Sequence, residues 1–343
     1  MSAAGGVRRN AFAAFDIGPK KGVCMQILDR VQIADLIRPD IAAAMIEDAY
    51  RAVAAGTANL PPVGYIAFPD VGGDCHVKFG HITGEPLFIV KIATGFAGNA
   101  ALGLANNSGC SIALDARTGQ VIAILADEGI MTDIRTGIGG AIATRLLARP
   151  DSRLVGIVGT GEQARQQVRW LRRLWDGPLE FALWGRSPER ADDAVRDLGR
   201  EGIKVSRAEQ LELMCRSSDI VITTTASRAP IVQSDWIRPG SHITAVGADA
   251  PGKQELATAL VARADVIVAD LTSQCIDHGE IATAIAAGQL AIGRVTELGN
   301  VLAGTSVGRT TPEQITIADL TGLAVQDIAI ARSVLATVKA QAC

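Results

Sequence analysis

Aromatic residues are scarce, at 4% of 343 residues with two tyrosines and four tryptophans, and this speaks against a β-sandwich built around large aromatic side chains. Excess basic charge is also missing: 33 Lys and Arg stand against 36 Asp and Glu, for a net charge of -3. With no like-charge run, the chain has no electrostatic footprint for a nucleic-acid backbone or an anionic membrane. No apolar run approaches the roughly 18 residues that a membrane-spanning helix needs. The six cysteines are scattered without a C-x-x-C pair. His76 and His81, near Cys75, have the wrong spacing for one face of a strand, so no metal site is expected. That pattern fits ordinary thiols in a reducing cytoplasm. The opening "MSAAGGVRRNAFAAFDIGPKKGV" lacks the apolar core of a secretory signal. Periodicity begins only at Met25, where a second start is possible, so residues 1–24 are read as a tail.

What is present is small and apolar. The chain is 48% hydrophobic with 36 glycines, a composition suited to closely packed α/β layers, and its length suggests two domains. "RPDIAAAMIEDAYRAVAAG" reads as an amphipathic helix stopped by Gly56. The runs "GYIAF", "CHVKF", "LFIVKIA", "GCSIALD" and "GQVIAILAD" then read as strands of a mostly antiparallel sheet, with "DARTG" as a hairpin turn. A helix, "TDIRTGIGGAIATRLLAR", closes this first lobe. From about residue 151 the pattern becomes strand, glycine turn and helix in repeated units, which predicts a parallel doubly wound sheet. A last amphipathic helix, "DLTGLAVQDIAIARSVLATVKAQ", is assigned back to the first lobe. The expected fold class is α/β, a Rossmann sheet over 148–318 with an α+β lobe from 25–147 plus 319–343.

"GTGEQA" supplies Gly159, Gly161 and Ala164 in the pattern G-x-G-x-x-A, after the strand "LVGIV" and before a helix. In that setting glycines let backbone amides approach a pyrophosphate at the positive end of the helix. Gln163, in the same turn, and Thr224, at the end of "DIVITT", join them as cofactor-binding candidates. The second strand ends in "LWGRSPER", with no acidic residue for a ribose hydroxyl. Arg186 and Ser187 suit a 2′-phosphate instead, so NADP(H) is favoured over NAD(H).

In "FIVKIATGF", Lys91 interrupts what reads as a strand buried on both faces, and an ammonium out of water needs a charged partner. Either it snorkels to an edge or it faces an anion site. Lys78, in "CHVKFGH", is a second lysine on a strand of the same lobe. Arg135, in "MTDIRTG", is expected in the first turn of a helix capped by Thr132, where a cation opposes the helix dipole unless an anion is near. That anion is a substrate carboxylate or else Asp127, Glu128 or Asp133. Asp249, in "AVGADAPGKQEL", follows a strand at its carboxyl end, where it is either a proton-handling group or part of an ordinary turn.

Taken together, "VKIATGFAGNAALGL", "DARTGQVIAILADEGIMTDIRTG", "VGIVGTGEQARQQ" and "AVGADAPGKQEL" resemble the ornithine cyclodeaminase/mu-crystallin family, from about Met25 onward. The resemblance implies a substrate-binding and dimerisation lobe beside the Rossmann lobe, a homodimer, and nicotinamide-dependent chemistry on α-amino or α-imino acids. It implies Lys91 near the substrate carboxylate and imine, its charge met by substrate rather than by a core partner. It further implies Arg135 as the carboxylate clamp and Asp249 as the handler of the amine and its proton. Many relatives carry an arginine after the paired prolines. Here "LPPVGY" has Val63, and Lys78 is the candidate to replace that cation, as in the ectoine-utilisation variant of the family.

Three readings follow: an NAD(P)-dependent imino-acid reductase or amino-acid dehydrogenase, an ornithine-type cyclodeaminase, and a cofactor-dependent ligand-binding protein. Net change at 340 nm, ammonia release without it, and tight cofactor binding without turnover separate them.

Overall fold

The structure is a computed structural model and describes residues 25–342. Its first part is a seven-stranded sheet with two helices at its start. β1 (Gln26–Asp29), α1 (Arg30–Leu36) and α2 (Pro39–Ala54) lead into β2 (Ala58–Asn59), β3 (Gly64–Phe68), β4 (Gly73–Ile82), β5 (Leu87–Phe96), β6 (Asn107–Asp115) and β7 (Val121–Ala126). The order is β1-β7-β6-β5-β4-β2 with β3 also on β4, and every pairing is antiparallel except β1 with β7. The β6–β7 turn is held by Asp115, whose carboxylate accepts from the amides of Arg117 and Thr118, both at 2.8 Å. This is the turn that "DARTG" predicts.

α3 (Ile130–Leu147) follows and packs on α2. It starts from Gly129, which sits at φ 91° as the N-cap, so Thr132 is not the cap and Arg135 falls in the second turn. The helix is buried on nearly all sides because its glycines let neighbours close in. A Cβ on Gly137 would overlap Trp170, and one on Gly140 would overlap Gln167.

The remaining elements are β8 (Leu154–Val158), α4 (Glu162–Leu174), β9 (Glu180–Trp184), α5 (Pro188–Arg200), β10 (Val205–Arg207), α6 (Leu211–Ser217), β11 (Ile220–Thr223), β12 (Arg228–Val232), β13 (His242–Ala245) and β14 (Gln254–Leu256). After them come α7 (Thr258–Arg263), β15 (Val266–Ala269), α8 (Thr272–Cys275), α9 (Glu280–Ala286), β16 (Val295–Glu297), α10 (Leu298–Leu302), β17 (Thr316–Asp319) and α11 (Ala324–Ala342). Eight strands form a wholly parallel sheet in the order β10-β9-β8-β11-β13-β17-β15-β16. Their buried apolar runs, such as Ile220, Val221 and Ile222 at 0% exposure, are what a sheet covered on both faces requires. The chain reverses its direction of travel between β8 and β11, which creates a crevice at their carboxyl ends. α11 returns to the first sheet and packs on α2, α3, β4 and β5. Among the described residues no helix is long and apolar enough to cross a membrane.

Candidate active site

β4 and β5 pair so that Lys78 stands directly opposite Lys91. Like charges in that position repel, so something else must hold them. Lys91 shares the inward face of β5 with Leu87 and Ile89, while Ile92 on the other face is 37% exposed. The strand is therefore not buried on both faces in one chain. Lys91, 4% exposed, donates from Nζ to Asp327 Oδ1 at 2.7 Å and to Thr132 Oγ1 at 3.2 Å. Its charge is met by a core carboxylate, contrary to the expectation that substrate alone would meet it. Burial lowers the Lys91 pKa to about 8, with Asp327 opposing the shift and Arg135 and Lys78 adding to it.

The Arg135 partner is likewise none of Asp127, Glu128 or Asp133. Its Nε lies 3.2 Å from Asp327 Oδ1 without the alignment to donate, and Nη1 donates to Gln326 Oε1 at 3.2 Å. Gly322, at φ 81°, gives the guanidinium its room, since a Cβ there would run into Nη1. Lys78 donates to the Gly322 carbonyl at 2.8 Å, and burial, followed by the nearby Arg135 charge, pulls its pKa down. Burial tends to raise the Asp327 pKa, but Lys91, Arg135 and Lys78 outweigh it and hold the carboxyl below its usual range. Three cations thus gather on one buried carboxylate, leaving positive charge for an incoming anion.

A cavity of about 150 Å³ lies against this cluster, lined by Lys78, Thr132, Arg135, Gln163, Asp249 and Gln326 among others. Lys91 stands behind that wall, reaching it through Thr132. Asp249 is half exposed at the mouth and paired with Lys253 at 2.6 Å. Burial raises its pKa, but Lys253, Lys78 and His76 carry the net shift downward, so it is ionised at neutral pH. A side cavity of about 450 Å³ opens past Lys78 and Asp249 and is bordered by Pro61, Pro62, Val63, Tyr65, His76 and His278. Val63 and Lys78 therefore face the same space.

Through Asp133, Gln163 and Asp249, the first cavity continues into one of about 340 Å³ at the carboxyl ends of β11 and β13, lined also by Thr224, Thr225 and Gly247. Here the residues fit a dinucleotide. Gly159 takes φ 132° and packs so tightly on Thr224 that a Cβ would overlap the threonine hydroxyl. Gly161 is the N-cap of α4, and a Cβ there would meet nothing within 4 Å, so its glycine keeps open space rather than relieving a contact. Such a cradle at a helix N-terminus suits a pyrophosphate. Ala164 is fully buried beneath the turn. Gln163 donates to Asp133 Oδ1 at 3.1 Å, tying α4 to α3. Burial, with the nearby Glu162 charge, pushes the Asp133 pKa up to about 6. Arg186 is exposed beyond β9 and pairs with none of the described residues. Ser187 caps α5, accepting from the Arg190 amide at 3.3 Å and donating to Glu189 at 2.7 Å, so its hydroxyl is already used.

His76 lies at the cavity wall, edge-on to Tyr65, whereas His81 bonds the Glu85 carbonyl away from it. Among the described residues no three His, Cys, Asp or Glu side chains are placed to hold a metal ion. The residue that sequence reasoning missed is Asp327. Its signal was a lone carboxylate among Val325, Ile328 and Ala329, on a helix otherwise built to be buried.

Known proteins share this fold. A putative dehydrogenase of Rhizobium meliloti is 38% identical over 90% of this chain and 94% of its own length. An archaeal alanine dehydrogenase, solved as a dimer with bound NAD, superposes with a TM-score of 0.86 at 34% identity, covering 93% of this chain and 97% of the other. The Δ1-pyrroline-2-carboxylate reductase of Thermococcus litoralis, solved with NADH and L-proline, gives a TM-score of 0.87 at 26% identity, covering 93% and 98%. The model of the ornithine cyclodeaminase/mu-crystallin family matches residues 24–342, and the chain belongs to that family.

Proposed function

We propose that this chain is a nicotinamide-dependent oxidoreductase acting on an α-imino or α-amino acid. One observation carries the reading: the cavity lined by the cations of Lys78 and Arg135 and by the Asp249 carboxylate opens directly into the crevice of the parallel sheet. A bound nicotinamide supplies or accepts the hydride at the substrate α-carbon. Arg135 and Lys78 grip the carboxylate, with Lys91 adding charge from behind Thr132. Lys78 takes over as cation beside Val63. Asp249 accepts a proton from the α-amino group in the oxidative direction and returns it in the reductive one. Residues 25–147 and 319–343 serve substrate and pairing, and 148–318 hold the dinucleotide on Gly159, Gly161, Gln163, Ala164 and Thr224. Tyr65, Ile66 and Phe68 leave an apolar strand exposed, which supports a homodimer through that sheet. The free Cys75, Cys110, Cys215 and Cys275 are in keeping with a cytoplasmic setting.

The test is one plate. NADPH and NADH absorbance is followed with pyrroline-2-carboxylate, piperideine-2-carboxylate and 2-oxo acids plus ammonia, beside an assay for ammonia release from ornithine. Consumption of reduced cofactor supports the reading. Ammonia release without net absorbance change would make the chain a cyclodeaminase.

Two further expectations belong to the same site. If Arg186 meets a 2′-phosphate, KM for NADPH lies below that for NADH, and Arg186→Ala raises the NADPH value by about tenfold while leaving NADH nearly unchanged. A wild-type KM for NADPH equal to or above that for NADH removes the preference. Because Lys91 loses its proton near pH 8, kcat/KM for the acid substrate falls above that pH. Lys91→Arg, which keeps its charge, removes this alkaline limb from the profile.

A further inference from the structure

The loops leaving β11 and β13 form one wall of the cavity of about 340 Å³, and both are held by a single carboxylate. Glu255, on β14 and 0% exposed, accepts through Oε2 from Thr223 Oγ1 at 2.7 Å and from the Gly247 amide at 2.8 Å. Through Oε1 it accepts from the Thr225 amide at 2.5 Å. Its own amide donates to Glu280 at 2.7 Å, which fixes β14 in turn. Gly247 packs closely against this clamp, since a Cβ there would overlap the Thr225 carbonyl and the Glu255 carboxyl. Thr225 and Gly247 both line the cavity, and Asp249 follows in the same loop.

Three donors from two loops converge on two oxygens, which a carboxylate can satisfy and an amide cannot. We propose that Glu255 is a positioning residue for the reaction: it clamps the loop after β11 to the loop after β13. The clamp sets the spacing between Asp249 and the cofactor wall of Thr224 and Thr225. Glu255 lines none of the three cavities described above, and its part in the reaction rests on the function proposed above.

Glu255→Gln keeps the size but turns an N–H toward an N–H or O–H donor. Three readouts apply. Hydrogen exchange at the Thr225 and Gly247 amides, measured without ligand, is expected to speed up by about tenfold against an unchanged β8 and β9. Reduced dinucleotide, followed by its fluorescence, should bind about tenfold more weakly. Turnover should drop by about 10²-fold with substrate KM little altered. Exchange that stays slow at those two amides, or that rises evenly over the whole chain, overturns the clamp. If the variant does not fold, the wild-type protein decides. Protection of both amides comparable to that of β11 supports the proposal, and exchange as fast as an exposed loop overturns it. A wild type with no turnover on any imino acid, but with the exchange and binding contrasts intact, defeats the proposed reaction and leaves the clamp.

Discussion

Replacing Asp327 with leucine is expected to destabilise the protein by about 3–5 kcal/mol, the range for removing one partner of a buried ion pair. The cause is specific: Lys91 and Arg135, at 4% and 6% exposure, would lose the one carboxylate set against them. Denaturant unfolding of both proteins near pH 7 measures the loss, and a change below about 1 kcal/mol would contradict the role given to Asp327. The pH dependence adds a second check. The Lys91 pKa is about 8 in the folded chain against an ordinary 10.5, so the unfolded state binds more protons between those values. Stability from this group therefore rises with pH across that window. Without Asp327 the folded value falls further, so the variant should begin regaining stability at a lower pH than the wild type does.

Asp249→Asn is expected to act on rate instead, lowering kcat by about 10²–10⁴-fold, the usual contribution of a placed acid or base. The asparagine keeps the shape and cannot exchange the proton. The side chain is 52% exposed and its ion pair with Lys253 is a surface one, so the melting temperature should barely move. Steady-state rates on the best substrate of the plate, with reduced-cofactor binding by fluorescence, separate the two. Unchanged turnover with intact binding would remove Asp249 from proton transfer. Because its pKa is held below the ordinary range, the acid limb of the wild-type profile should lie below that of a free carboxyl.

The two lobes differ in how much of each is legible in the residues. Strand, glycine turn and helix recur locally after residue 151, so the parallel sheet and the place of Gly159 and Gly161 follow from neighbours in sequence. Lys91 posed its question just as locally, but the answer lies 236 positions away at Asp327. No periodicity links a strand residue to a partner so distant. Arg135 shows the same limit on a smaller scale. A helix start at Gly129 depends on a left-handed backbone turn, and the capping pattern pointed to Thr132. Ser187 is a 2′-phosphate candidate because no acidic residue ends the second strand, but Ser before Pro-Glu-Arg also describes an N-cap, and that is the use its hydroxyl has in this fold.

The return of α11 to the first sheet has a consequence for how the protein is made. Synthesis passes through the lysine strands and Arg135 long before Asp327 emerges, and β17, which sits between β13 and β15, is made after both of them. Domains generally fold as they leave the ribosome, N-terminal first. Here the parallel sheet cannot close until β17 arrives, and the first sheet has its strands early but waits for α11 to pack on it. A nascent chain stalled before Ala324 would carry a half-built cation cluster without the Asp327 counter-charge.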